Sequence, residues 1–186
     1  RAFPVLCPPT LIVQHIKPNF VSGMVARLNA ICPAQVTIAR QGDVITPGKV
    51  LLAPGHMQHL VLGPRGKRCA LRDGPPMSGH RPSVDALFSS VAVLGPRAVG
   101  VLLTGMGRDG ATGLGAMRKA GAWSIAQDAT SSTVYVMPRV AREEGAVCEI
   151  VSLSRMADAI LKAARRQDGA DPLGRPTDLR ATGSSP

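Results

Sequence analysis

The stretch Arg97-Ala-Val-Gly-Val-Leu-Leu-Thr-Gly-Met-Gly-Arg-Asp-Gly110 constrains this chain more than any other. A short continuous apolar run bounded by glycine has the pattern of a strand covered on both faces, as in a parallel sheet between helices. The glycine-rich turn after it carries Asp109, with Gly107 and Gly110 beside it, and Ala111 to Ala120 can form a short helix. A strand, a tight turn and a helix with an acidic residue at the junction is where open α/β sheets place their chemistry.

Around this unit the apolar pattern alternates between two periods. Thr10 to Gln14 reads as a short strand ending at His15, and Pro18 then breaks the chain, with Asn19 as the expected N-cap of a helix. In that helix Val21, Met24, Val25, Leu28 and Ile31 form one stripe. Four strand-like pieces follow, Val36 to Ala39, Val50 to Ala53, His59 to Leu62 and Cys69 to Arg72, punctuated by Gly and Pro. They read as antiparallel hairpins laid on a parallel sheet. Asp73 to Pro82 is too rich in Gly and Pro for regular structure and is expected to be a functional loop.

Ser83 is the expected cap of the next helix, whose stripe is Val84, Leu87, Phe88, Val91 and Leu94. After the central strand come a strand from Trp123 to Gln127, a helical turn from Met137 to Glu144, a strand from Ala146 to Val151 and a last helix with Met156, Ile160 and Leu161 inward. The alternation predicts an α/β fold, a doubly wound, mostly parallel, Rossmann-like sheet with an antiparallel hairpin insertion. Residues 1–165 are expected to form one domain, and the polar residues 166–186 a disordered tail.

Composition narrows the function. The aromatic fraction of 3% leaves little for base stacking, and the basic residues behind the formal charge of +10 are spread along the chain. An acidic partner surface is expected rather than nucleic acid. The densest basic stretch, Arg65 to Arg72, reads as a solvated hairpin loop. Cys7, Cys32, Cys69 and Cys148 are far apart, with neither zinc nor disulfide spacing, and read as buried small hydrophobes in a reducing compartment. No apolar run approaches the ~18 residues of a membrane span and no signal peptide pattern is present, so no membrane insertion and a cytoplasmic location are expected.

The carboxyl ends of parallel strands share one edge, which places His15, the turn Gly105 to Gly110 and Asp128 on a common rim. A histidine with a carboxylate partner can act as a general base, and both Asp109 and Asp128 are eligible. A purely structural histidine fits the same position. His56, His59 and His80 read as loop or hairpin residues, and no metal or other cofactor is expected. A competing reading is that Gly105-Met-Gly-Arg-Asp-Gly110 is a dinucleotide-binding fingerprint with Asp128 as the ribose ligand. Asp109 weakens it, by bringing like charge to where a pyrophosphate would sit.

Taken together, Val13-Gln-His15, the run from Asp73 to Phe88, Leu102-Leu-Thr-Gly-Met-Gly-Arg-Asp-Gly-Ala111, and Ala126-Gln-Asp128 with Met137-Pro138 resemble the catalytic domain of the bacterial chemotaxis protein-glutamate methylesterases, the CheB family. The resemblance runs from about Thr10 to about Ala164. It implies a serine hydrolase that removes methyl groups from glutamyl methyl esters on methyl-accepting chemotaxis receptors and deamidates receptor glutamines. The family's triad histidine falls on His15, its aspartate on Asp109, and an active-site methionine on Met106. Ile16-Lys17 and Val136 depart from the family's usual residues.

The family's nucleophilic serine lies in a Gly-x-Ser-Thr-Gly-Gly turn after a first strand, and this sequence contains no such turn; Ser78, Ser83, Ser131 and Ser132 sit in loops or caps. The sequence begins at Arg1, so a missing upstream segment is expected, and the chain as given is expected to be hydrolytically inactive. A receiver domain, upstream or in trans, is an expected partner. A receptor-binding module without catalysis is the alternative.

Overall fold

The computed structural model describes residues 3–55 and 58–168. The fold is a mixed α/β arrangement with mostly parallel sheets. In chain order it contains β1 (Thr10–Ile12), α1 (Pro18–Ile31), β2 (Gln35–Ile38), β3 (Lys49–Leu52), β4 (Gln58–Leu62), β5 (Cys69–Asp73) and α2 (Val84–Val91). There follow β6 (Val99–Leu102), α3 (Ala111–Lys119), β7 (Trp123–Gln127), α4 (Met137–Glu143), β8 (Glu149–Val151) and α5 (Leu153–Asp168).

The strands form three groups: a parallel sheet in the order β1-β3-β2, an antiparallel pair β4-β5, and a parallel sheet in the order β6-β7-β8. Only one of the two expected hairpins exists. Leu60 pairs with Leu71 in an antiparallel register, whereas β2 and β3 are parallel neighbours, with Val36 beside Val50. The reason lies in their connection. Residues 39–48 form an irregular excursion that returns the chain to the end of the sheet where β2 started, and parallel pairing requires such a return. Short strands punctuated by Gly and Pro look alike whether the link is a turn or an excursion.

Among the described residues, β1 and β6 each keep one edge without a partner strand, so the parallel strands form two sheets rather than one. A common core nevertheless joins both sides. Leu51 and Ala53 of the first sheet region cluster with Leu102 of the second and with Leu87 and Phe88 of α2 and Leu114 of α3. The other face of β6 is covered as its sequence requires, with Val99 and Val101 packed beside Ile125 and Met156 under α5.

Several local readings need correction. The N-cap of α1 is Lys17, not Asn19: Pro18 occupies the first turn, where its missing N–H costs nothing. Ile31, the last residue of the α1 stripe, is 66% exposed. Cys7 and Cys69 are buried, but Cys32 is only half-buried and Cys148 is exposed. Helix α5 extends through Asp168 and so crosses the boundary expected at 166; residues 169–186 lie outside the described residues.

Candidate active site

Two strand ends build the site. His15 lies three residues past the end of β1, in a tight turn closed by the Ile16 N–H donating to the Gln14 carbonyl (3.0 Å). Asp109 ends the turn between β6 and α3, where Gly110 takes φ of 98°. A side chain at Gly110 would meet Val84 at 2.7 Å and Leu102 at 2.8 Å, so glycine is needed for both conformation and space. That clearance lets the turn pack against α2 and β6. The glycine beside the histidine pair is Gly107, whose open face looks toward His80.

The Asp109 carboxylate is completely buried and fully engaged. Its Oδ1 accepts from the Ser83 hydroxyl (2.7 Å) and the Asp85 N–H (3.0 Å), and its Oδ2 accepts from the Val84 N–H (2.7 Å). His15 Nε2 completes the set, 2.8 Å from Oδ2. Asp109 thus caps α2 from outside that helix, a favourable place for an anion. Burial, the largest single influence, pushes its pKa up. The hydrogen bonds from His15, Ser83 and the Asp85 and Val84 amides outweigh it and hold the carboxyl below its usual range.

The arrangement is reciprocal. Asp85, in the first turn of α2, sends its Oδ1 to the Gly113 N–H of α3 (2.7 Å), while its Oδ2 accepts from the Ser78 hydroxyl (2.6 Å). Each helix start is therefore satisfied by an aspartate from the neighbourhood of the other. This weighs further against the dinucleotide fingerprint, because an amide in the first turn of α3, that of Gly113, already serves a carboxylate.

Asp128, the other eligible acid, is turned away from this chemistry. Its Oδ1 accepts from the Ser131 N–H (2.9 Å) and hydroxyl (2.5 Å) in a local turn, which lowers its pKa. Gln127 beside it is buried and accepts from the Thr104 N–H (2.9 Å), tying β7 to the end of β6. Met106 is 76% exposed on the turn before Asp109.

Two residues that the sequence does not single out as functional belong to the site. Ser83 caps α2 as expected, with its Oγ 3.3 Å from the Ala86 N–H, but it also donates to Asp109. His80 lies on His15, the two rings stacked with centroids 3.8 Å apart and planes 10° from parallel. The signals in the sequence are the Gly- and Pro-rich loop Asp73 to Pro82, which holds His80, and the resemblance of the run Asp73 to Phe88, which holds both; neither assigns the two side chains a role. Buried His59 braces the same loop, with its Nε2 on the Pro75 carbonyl (3.0 Å) and its Nδ1 accepting from the Ser83 N–H (3.2 Å). His56 lies outside the described residues.

His15, His80 and Asp109 bring three potential ligand atoms within 4.8 Å of one another. They do not form a good metal cage. In-plane lone pairs of two nearly parallel rings cannot converge on one ion, and the Asp109 oxygens already accept four hydrogen bonds. What the geometry provides is an imidazole whose Nε2 proton is held by a buried carboxylate and whose Nδ1 is left as the basic nitrogen.

The model of the CheB methylesterase family matches residues 1–160. The chain is 54% identical over 166 residues to protein-glutamate methylesterase/protein-glutamine glutaminase 1 of Caulobacter vibrioides, covering 88% of this chain and 48% of the relative. It is 50% identical over 174 residues to the protein-glutamate methylesterase/protein-glutamine glutaminase of Agrobacterium fabrum, covering 92% and 50%. The chain spans about half the length of the curated relatives it matches. The crystal structure of the Thermotoga maritima CheB methylesterase catalytic domain superposes with a TM-score of 0.81 at 29% identity, covering 86% of each chain. Sequence, fold and the convergence of His15 with Asp109 thus agree, and the chain belongs to the CheB methylesterase family.

Proposed function

We propose that this chain is part of a protein-glutamate methylesterase and protein-glutamine deamidase that acts on methyl-accepting chemotaxis receptors in the cytoplasm. The observation that carries this reading is the 2.8 Å contact between His15 Nε2 and a buried carboxylate whose other hydrogen bonds come from the start of α2. That environment keeps Asp109 ionised, fixes the tautomer of His15 and favours the imidazolium that forms during reaction.

In this mechanism His15 Nδ1 takes the proton of a nucleophilic hydroxyl as its oxygen bonds to the glutamyl ester carbonyl carbon. The tetrahedral intermediate then collapses, the carbon–methoxide bond breaks, and the same proton passes to the leaving methanol. A water, activated by the same nitrogen, cleaves the acyl-enzyme to the glutamate carboxylate and regenerates the hydroxyl. Backbone N–H groups stabilise the oxyanion, and Met106 on the exposed turn borders the substrate.

The nucleophile in this reading is a serine outside the sequence given. The edges of β1 and β6, which have no partner strand among the described residues, support it, since a parallel strand seated between them would end near His15. The chain by itself is then inactive. Its charge of +10 favours the acidic receptor surface, and a receiver domain, joined upstream or acting in trans, supplies regulation. The test is methanol release from methylated receptor by this chain and by one extended upstream to include the serine turn. Turnover is expected from the extended chain only. Equal turnover by both, or turnover that survives both His15→Ala and Asp109→Ala, would overturn the assignment.

A further inference from the structure

His80 stands outside the pair read as base and orienting acid, yet the loop between β5 and α2 is anchored so as to deliver its ring. His80 Nδ1 donates to the Ser78 carbonyl (2.9 Å), and the Ser78 hydroxyl is held by buried Asp85 (2.6 Å). Met77 and His80 exchange backbone hydrogen bonds of 3.0 and 2.9 Å, which close the turn. Within it Ser78 takes φ of 50°, a left-handed conformation that non-glycine residues adopt when their surroundings impose it. The product of these constraints is an imidazole lying flat on His15 at 3.8 Å.

A single hydrogen bond at one edge leaves an imidazole free to rock and to turn about its last side-chain bond, where the torsional preference is broad. Among the described residues His15 has that one bond, to Asp109, and its side chain is 22% exposed. We propose that His80 is a positioning residue for the hydrolysis: its ring is a flat wall that keeps the His15 ring in the plane where Nε2 stays on Asp109 and Nδ1 faces the nucleophile. This rests on the reading of His15 as the base. The wall acts through shape, so another flat ring serves in its place, whereas a small side chain does not.

The test has two arms. In the extended, active chain, His80→Ala is expected to lower kcat by about ten- to a hundredfold with KM unchanged, the cost of a base held in loose orientation. His80→Phe is expected to recover most of that loss. In the chain as given, nitrogen NMR of the His15 side chain is expected to show one tautomer, protonated at Nε2, in the wild type and His80→Phe proteins and an averaged signal in His80→Ala. Unchanged kcat in His80→Ala, or equal losses in the Ala and Phe variants, would overturn the proposal. The NMR arm needs no turnover. Full activity in His15→Ala would refute the base reading, while an averaged or unaveraged His15 signal still decides whether His80 holds the ring.

Discussion

At the scale of the residue the structure turns on Asp109, a buried charge made tolerable by four donors. Removing such a group strands its partners. Asp109→Ala leaves the Ser83 hydroxyl and two amides of α2 without their acceptor, and is expected to cost about 3–5 kcal/mol of stability, measured by urea unfolding. The pH dependence follows from the lowered pKa. A carboxyl whose folded-state pKa lies below its usual 3.8 contributes stability that is complete above that value and is lost as pH falls through the folded-state value. Acid destabilisation of the wild type should therefore be steeper below pH 4 than that of Asp109→Asn, and equal slopes would contradict the buried, ionised state. His15 and Asp109 were legible in the sequence because strand ends in a parallel sheet share an edge. Choosing Asp109 over Asp128 was not legible from spacing alone, since Asp128 is satisfied by a local turn with Ser131 that only the fold reveals.

At the scale of elements the site depends on two helices that start side by side and satisfy each other's first turns. Asp85 serves α3 and Asp109 serves α2, and Asp85 also holds Ser78 in the loop that carries His80. Asp85→Ala is expected to cost about 1–3 kcal/mol for the amide left unsatisfied. The double variant with Asp109→Ala should depart from additivity by about 0.5–3 kcal/mol, as expected for groups in one network. Additive losses in an unfolding cycle would show two independent caps instead. The cap at Ser83, the α2 stripe as far as Val91 and the strand from Trp123 to Gln127 were readable because each is decided locally, by a capping side chain or a short apolar period, whereas Leu94, expected on the same stripe, lies in a 3-10 segment beyond the helix. The pairing of β2 with β3 was not, because parallel or antiparallel alignment is set by where the connecting chain travels. The same limit hid His80, whose partner lies 65 positions away in the sequence.

At the scale of the whole molecule, two parallel sheets share a core yet leave the edges of β1 and β6 without partner strands among the described residues. Exposed strand edges favour pairing with other chains. The chain as given is therefore expected to unfold at lower temperature, or to self-associate, relative to the chain extended upstream; equal melting temperatures and a monomer in both would contradict a strand seated between those edges. Among the described residues no helix is long and apolar enough to cross a membrane. The alternation of strands and helices made the α/β class readable, while the place where the parallel strands divide, between β1 and β6, was not, since a strand's own residues do not say which strands it pairs with. The central claim is that His15, held by Asp109, is the general base of an ester hydrolysis. Its most direct test is kcat/KM for methyl-ester hydrolysis on methylated receptor, comparing the extended chain with its His15→Ala variant. The account predicts a loss of about a thousandfold or more, and a variant retaining activity within a few-fold of the parent would contradict it.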